Sequence, residues 1–149
     1  MVKADLTIKD KVEHALQEAR VILPGTEALL GFQLVSFFSG TDRLVNGLKY
    51  WHLASFGFIL LGTIFLVAPV AYHRIGEKGH ETESFYFFAA TMLVLAMVML
   101  AFGLSADIYV IVSLVSNSTL AAGWSAAVAF VLMTGLWFGY SFYRRIRNG

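Results

Sequence analysis

The sequence contains no cysteine and only two prolines, and just 14% of its residues are charged. Each shortage excludes something. Without cysteine there is no disulfide, no thiolate metal site and no cysteine nucleophile. A soluble domain carries about a quarter of its residues as Asp, Glu, Lys and Arg. A chain with 14% charged against 58% apolar residues cannot cover itself with water-binding groups. A net charge of +1, with no Lys/Arg block interleaved with aromatics, excludes a nucleic-acid partner. The histidines His14, His52, His73 and His80 fall in no HxxH or HExxH spacing, and no serine stands in a nucleophile elbow. No metal site, cofactor box or catalytic constellation is legible, so the chain reads as a non-enzyme.

What the chain has in quantity is apolar sequence in long runs. A bilayer core of about 30 Å needs roughly 20 apolar residues in a helix, and four runs approach or pass that length, at about 21–39, 51–72, 85–115 and 119–143. The expected fold is therefore all-α, an integral membrane four-helix bundle in a single domain over 1–149. The first twenty residues are mixed in charge and show no small-residue cleavage site after an apolar core, so they read as part of the mature chain. Within them Ile8, Val12, Ala15, Leu16 and Ala19 recur at helical spacing, with Lys9, Asp10, Glu13 and Glu18 elsewhere on the wheel. That pattern predicts an N-terminal amphipathic surface helix over about 5–20. Pro24 fits the first turn of span one, or a kink if the helix runs through, and Pro69 is expected to bend or end span two. Thr82 or Ser84 is placed to cap span three, and Ser118 or Thr119 span four. The third run would be about 46 Å long if wholly helical, which predicts either a helix that overshoots the membrane, the favoured reading, or one that tilts or breaks near residues 103–107.

Basic residues flanking spans are retained on the cytoplasmic side. Lys3, Lys9, Lys11, Arg20, Arg74, Lys78, Arg144, Arg145 and Arg147 fall on one side of this layout, and only Arg43 and Lys49 on the other, which predicts cytoplasmic N- and C-termini. Aromatics agree, with Tyr50, Trp51 and Trp124 near the outer surface and Tyr72, Tyr86, Trp137, Tyr140 and Tyr143 near the inner one.

An ionisable group inside a membrane costs roughly 2.5–3.5 kcal/mol on insertion scales and is a functional candidate for that reason. Asp107, Glu27 and Gln33 are the candidates to bind or conduct an ion. Counting from Pro24 puts Glu27 near the inner interface, where Arg20, His73 or Arg74 would pair with it, and Gln33 near the midplane, suited to an interhelical hydrogen bond. Counting from Phe85 puts Asp107 at the outer boundary, within reach of Arg43, Lys49 or His52. Glu27 and Asp107 then lie on opposite sides and form no joint site. Gly135 and Gly139, in GLWFG, would let another helix of the bundle or of a second copy approach closely.

Three segments, EARVILPGTEALLGFQ at 18–33, LVAPVAYHRI at 66–75 and FGLSADIYV at 102–110, together resemble an uncharacterised bacterial family of short, four-span membrane proteins often auto-named sodium:proton antiporters. The resemblance covers roughly residues 10–112 and puts Glu27, Gln33, Pro69, His73, Arg74 and Asp107 at the family's recurring polar and proline positions. It implies a bacterial cytoplasmic membrane protein without cofactor. The function expected is a cation or proton transporter or channel for H+ or Na+, active as a parallel homo-oligomer. The alternative is a non-catalytic scaffold or accessory subunit bound to a membrane partner protein.

Overall fold

The computed structural model describes residues 7–40, 46–76, 82–140, 143, 146 and 147. They form four helices, α1 Ile8–Gly40, α2 Asn46–Ile75, α3 Glu83–Ser116 and α4 Thr119–Thr134, the last continued by a π-helical turn, Gly135–Gly139. Polar side chains close the helix starts. Thr7 and Asp10 form a reciprocal capping pair, the Asp10 N–H donating to Thr7 Oγ1 (3.3 Å) and the Thr7 N–H to Asp10 Oδ2 (3.0 Å). Thr82 accepts from the Phe85 N–H at 3.1 Å, and Ser118 from the Ala121 N–H at 3.3 Å. Between α3 and α4, Asn117 takes the left-handed conformation (φ 51°), and its N–H donates to the Ser113 carbonyl at 3.1 Å.

All four helices are long and apolar enough to cross a membrane, which points to a multi-pass membrane protein. With 33, 30 and 34 residues, α1, α2 and α3 run about 45–51 Å, well beyond a hydrocarbon core of about 30 Å.

At one boundary the structure differs from the sequence reading. The segment expected as a separate surface helix and the first span are one continuous helix through Pro24. Its apolar stripe, Val12, Ala15 and Ala19, is buried with Phe85, Ala89 and Leu93 of α3 and Leu66 of α2. The stripe therefore meets the protein's own helices. Pro69 does not end α2, which continues to Ile75. α3 runs unbroken through 103–107 to Ser116, the overlong helix that the third apolar run led one to expect.

One spacing explains the packing. Buried or half-buried positions alternate by three and four residues along α1 (Val12, Ala15, Ala19, Ile22, Thr26, Leu29, Gln33), α2 (His52, Ser55, Ile59, Gly62, Leu66, Pro69) and α3 (Ala89, Leu93, Ala96, Leu100, Gly103, Asp107, Val110). This repeat gives a left-handed, knobs-into-holes seam. The seam is narrow because small residues line it. At Gly103 an added Cβ would sit 2.5 Å from Ile59 Cγ1 and 3.2 Å from the Ser55 carbonyl oxygen, and at Gly62 3.3 Å from the Ala96 carbonyl oxygen. α4 lies outside this three-helix core. It packs on α3, where Ala122 is buried and the Phe130 and Phe102 rings lie 4.8 Å apart.

Gly103→Val should overpack the seam and destabilise the protein by about 1–3 kcal/mol. Gly123→Ala, where an added Cβ meets nothing within 4 Å, should be close to neutral. Thermal unfolding of the two purified variants in one detergent checks the difference; equal midpoints would show that the α2–α3 approach does not limit stability.

Candidate functional site

Where α1 and α3 approach their C-terminal ends and α2 begins, the apolar seam turns polar on all three helices. Gln33 lies about 10 Å from the end of α1, His52 about 9 Å from the start of α2 and Asp107 about 14 Å from the end of α3. The Gln33 Nε2 amide donates to Asp107 Oδ2 at 2.6 Å and to Ser55 Oγ at 2.7 Å. Ser55 Oγ in turn donates to the Gly103 carbonyl at 2.8 Å. His52 stands over the group, with Nδ1 3.6 Å from Asp107 Oδ1 and Nε2 3.4 Å from the Gln33 backbone carbonyl. The Phe37 ring stacks on its face at 6.3 Å between centroids.

The directions of these bonds are forced. Ser55 spends its single O–H on the Gly103 carbonyl, so it can only accept from Gln33. Gln33 must then turn its NH2 inward, and the second N–H of that group meets Asp107. Gln33 Oε1, turned away, is buried with no hydrogen-bond partner.

His52 faces two acceptors, a carbonyl and a carboxylate oxygen. Neutral imidazole has one N–H and can serve only one of them, leaving a lone pair against the other.

Beside this cluster, between α1 and α3, opens a cleft of about 360 Å³ lined by Leu29, Phe32, Gln33, Ser36, His52, Asp107, Val110, Ile111 and Leu114. A smaller apolar cavity of about 160 Å³ lies between α1 and α2 and shares Gln33 and His52. The polar cluster therefore borders both.

The structure joins residues that sequence reasoning kept apart. Gln33 was assigned to the midplane and Asp107 to the outer boundary, yet they are hydrogen-bonded and share one level. The counting failed because α1 does not begin at Pro24, so the proline sets no depth. Of the three partners considered for Asp107, His52 is the one beside it; Lys49 makes no ion pair among the described residues, and Arg43 lies outside them. Glu27 is exposed, about 9 Å along α1 from Gln33, and takes no part in the cluster. No ion pair joins it to Arg20, His73 or Arg74 among the described residues. His73 instead packs its ring against Phe85, 4.9 Å between centroids, at the opposite end of the seam, and Arg74 and Arg20 are exposed. At Gly135 and Gly139 an added Cβ would meet nothing within 4 Å, so among the described residues no other helix approaches there closely. Sequence reasoning missed Ser55 and Gly103. Both stand on the three-four register that passes through His52 and Asp107, which is the signal that identifies them. Among the described residues, no group of three or more His, Asp or Glu is placed to hold a metal ion.

No curated protein and no solved structure matches the chain. A family model for proteins of unknown function, DUF6328, matches residues 7–141, which takes in all four helices and every member of the polar cluster. The chain belongs to the DUF6328 family.

Proposed function

We propose that the protein is a multi-pass membrane transporter that moves protons in exchange for another cation, with His52 and Asp107 as the proton-carrying pair. One observation carries the reading: the His52 ring meets two acceptors with one N–H to offer, on the wall of an open cleft. A ring nitrogen that faces a carboxylate oxygen across 3.6 Å is a place for a proton shared by the pair, which supports a proton-binding role. Ionisable groups within apolar helices mark ion pathways. In this reading Gln33 positions the carboxylate, and Ser55 fixes Gln33. The excess of Lys and Arg flanking one side of the spans supports cytoplasmic termini, with the cleft towards the outer side of a bacterial inner membrane. The sodium:proton antiporter label attached to the resembling family is compatible with exchange. No catalysis is assigned.

In proteoliposomes carrying a pH-sensitive dye, an imposed cation gradient should drive proton movement through the wild type. Asp107→Asn and His52→Gln should each reduce the initial rate by about a hundredfold or to background. Glu27→Gln, outside the cluster, should retain it. Rates equal to empty vesicles under sodium, potassium and lipophilic-ammonium gradients alike would overturn the transport reading, and wild-type rates in Asp107→Asn would overturn the site.

A second reading, a non-catalytic scaffold or a homo-oligomer built through α4, is favoured by the outward GLWFG turn and its open glycines. Small residues on a lipid-facing surface admit a second helix. Because the chain has no cysteine, Gly135→Cys and Gly139→Cys introduce single thiols. Oxidation in native membranes should yield disulfide-linked dimers if copies meet there. Monomers at both positions, with monomeric size in detergent, would remove the α4 face from consideration.

A further inference from the structure

We infer that the cation exchanged at Asp107 is a lipophilic organic cation, a positive centre carried on an apolar body, and not a metal ion. The inference rests on the proton-carrying role of His52 and Asp107 and names what competes with the proton.

The cleft has the size and composition of a small-molecule site. At about 360 Å³ it lies in the range typical of ligand pockets, which are mostly apolar with a few placed polar groups. Its walls are Leu29 and Phe32 of α1 and Val110, Ile111 and Leu114 of α3, and its one carboxylate is Asp107. The Asp107 side chain is 18% exposed against 10% for His52, so the carboxylate is the member of the pair more open to a ligand.

The donor set argues against a hard metal ion. Such ions take about six or more oxygen ligands. Around Asp107 the neighbouring polar atoms are nitrogens: Gln33 turns its amide nitrogen to the carboxylate, and His52 presents Nδ1. Beyond the carboxylate, the lining's other side-chain oxygens are the Ser36 hydroxyl and Gln33 Oε1, two groups where a hard ion needs several more, and the Gln33 amide meets Asp107 with its nitrogen. An organic cation needs far less. One carboxylate balances its charge, the Phe32 ring can offer its face to the positive centre, and the aliphatic walls bury its body.

The same geometry couples ligand to proton. With the proton on the pair, the charge of Asp107 is balanced from within, 3.6 Å away. When the proton leaves, the negative charge of the carboxylate is left without a cation beside it, and an entering organic cation restores the balance. One negative charge serves two cations in turn, so binding of either displaces the other.

Tetraphenylphosphonium, a lipophilic cation without titratable protons, is a suitable probe. Its equilibrium binding to the full-length protein in detergent should be saturable at alkaline pH, weaker at acidic pH, lost in Asp107→Asn and insensitive to excess sodium chloride. Phe32→Ala and Ile111→Ala change residues that are 74% and 59% exposed, so the fold tolerates them, and each should weaken binding about fivefold. Absence of saturable binding in a preparation that still exchanges protons for sodium overturns the ligand class and leaves the proton-carrying pair standing. Displacement of the probe by sodium also overturns the ligand class. Binding that ignores pH overturns the competition, and with it the proton role of His52 and Asp107.

Discussion

Helices α2 and α3 approach so closely at Ser55 and Gly103 that the Ser55 hydroxyl donates across the seam to the Gly103 backbone carbonyl. A side chain at 103 would collide with Ile59 and the Ser55 backbone, so glycine is what permits the approach. Every other bond in the polar cluster follows from this one. With its hydrogen committed, Ser55 can only accept, which orients the Gln33 amide. The oriented amide directs its second N–H to Asp107 Oδ2 and leaves Oδ1 to His52. The packing constraint thus becomes an electrostatic one, carried from a glycine to a carboxylate through two hydrogen bonds.

A cluster that served packing alone would be closed. A buried polar atom left unpaired costs about 1–3 kcal/mol, and Gln33 Oε1 is such an atom. His52 adds a second imbalance, since two acceptors face a ring that in its neutral form has one hydrogen. An interhelical hydrogen bond from Gln33, the plainer role for that residue, is present, but it does not account for a carboxylate and an imidazole on the wall of a cleft. Among the described residues no Lys or Arg neutralises Asp107. The counterion is a group whose charge depends on a proton, and that distinguishes this pair from a fixed structural ion pair.

Helix content and several caps were legible in the sequence, because apolar runs of membrane length and the polar residues before them are local signals; Thr82 and Ser118 cap as their positions suggested. Which face of each helix packs was not legible in hydropathy. Along α3 nearly every residue is apolar, so the seam is marked by size, with Ala89, Ala96 and Gly103 at seven-residue intervals. On α1 the register of Val12, Ala15, Ala19, Ile22 and Thr26 passes straight across Pro24, whereas reading the proline as a boundary divided one helix in two and displaced Gln33 from Asp107. Gln33, His52 and Asp107 each stood out as polar residues in apolar surroundings. Their meeting is a tertiary fact, set by how far three long helices slide past one another.

The two ends of the seam differ in a way that bears on transport. Beside the polar cluster the seam meets a cleft lined by Asp107, while at the other end Val12, Leu66, Phe85 and Ala89 pack the core, His73 lies on Phe85, and a second cleft of about 450 Å³ opens beside them between α1 and α3. A carrier must open its packed end at some stage, and that requires helices able to bend between the site and the plug. Pro24 in α1 lies between the two, whereas Pro69 in α2 lies within the packed end, between Leu66 and His73. Each removes the backbone donor that its helix would aim at the carbonyl four residues earlier, that of Arg20 in α1 and of Phe65 in α2. The two helices that flank the packed end are therefore the ones with a missing rung. α3, which carries Asp107, contains no proline. This division assigns rigidity to the helix that holds Asp107 and compliance to the helices that hold Gln33 and His52, so bending either would change the geometry of the polar cluster as it changed access to the cleft.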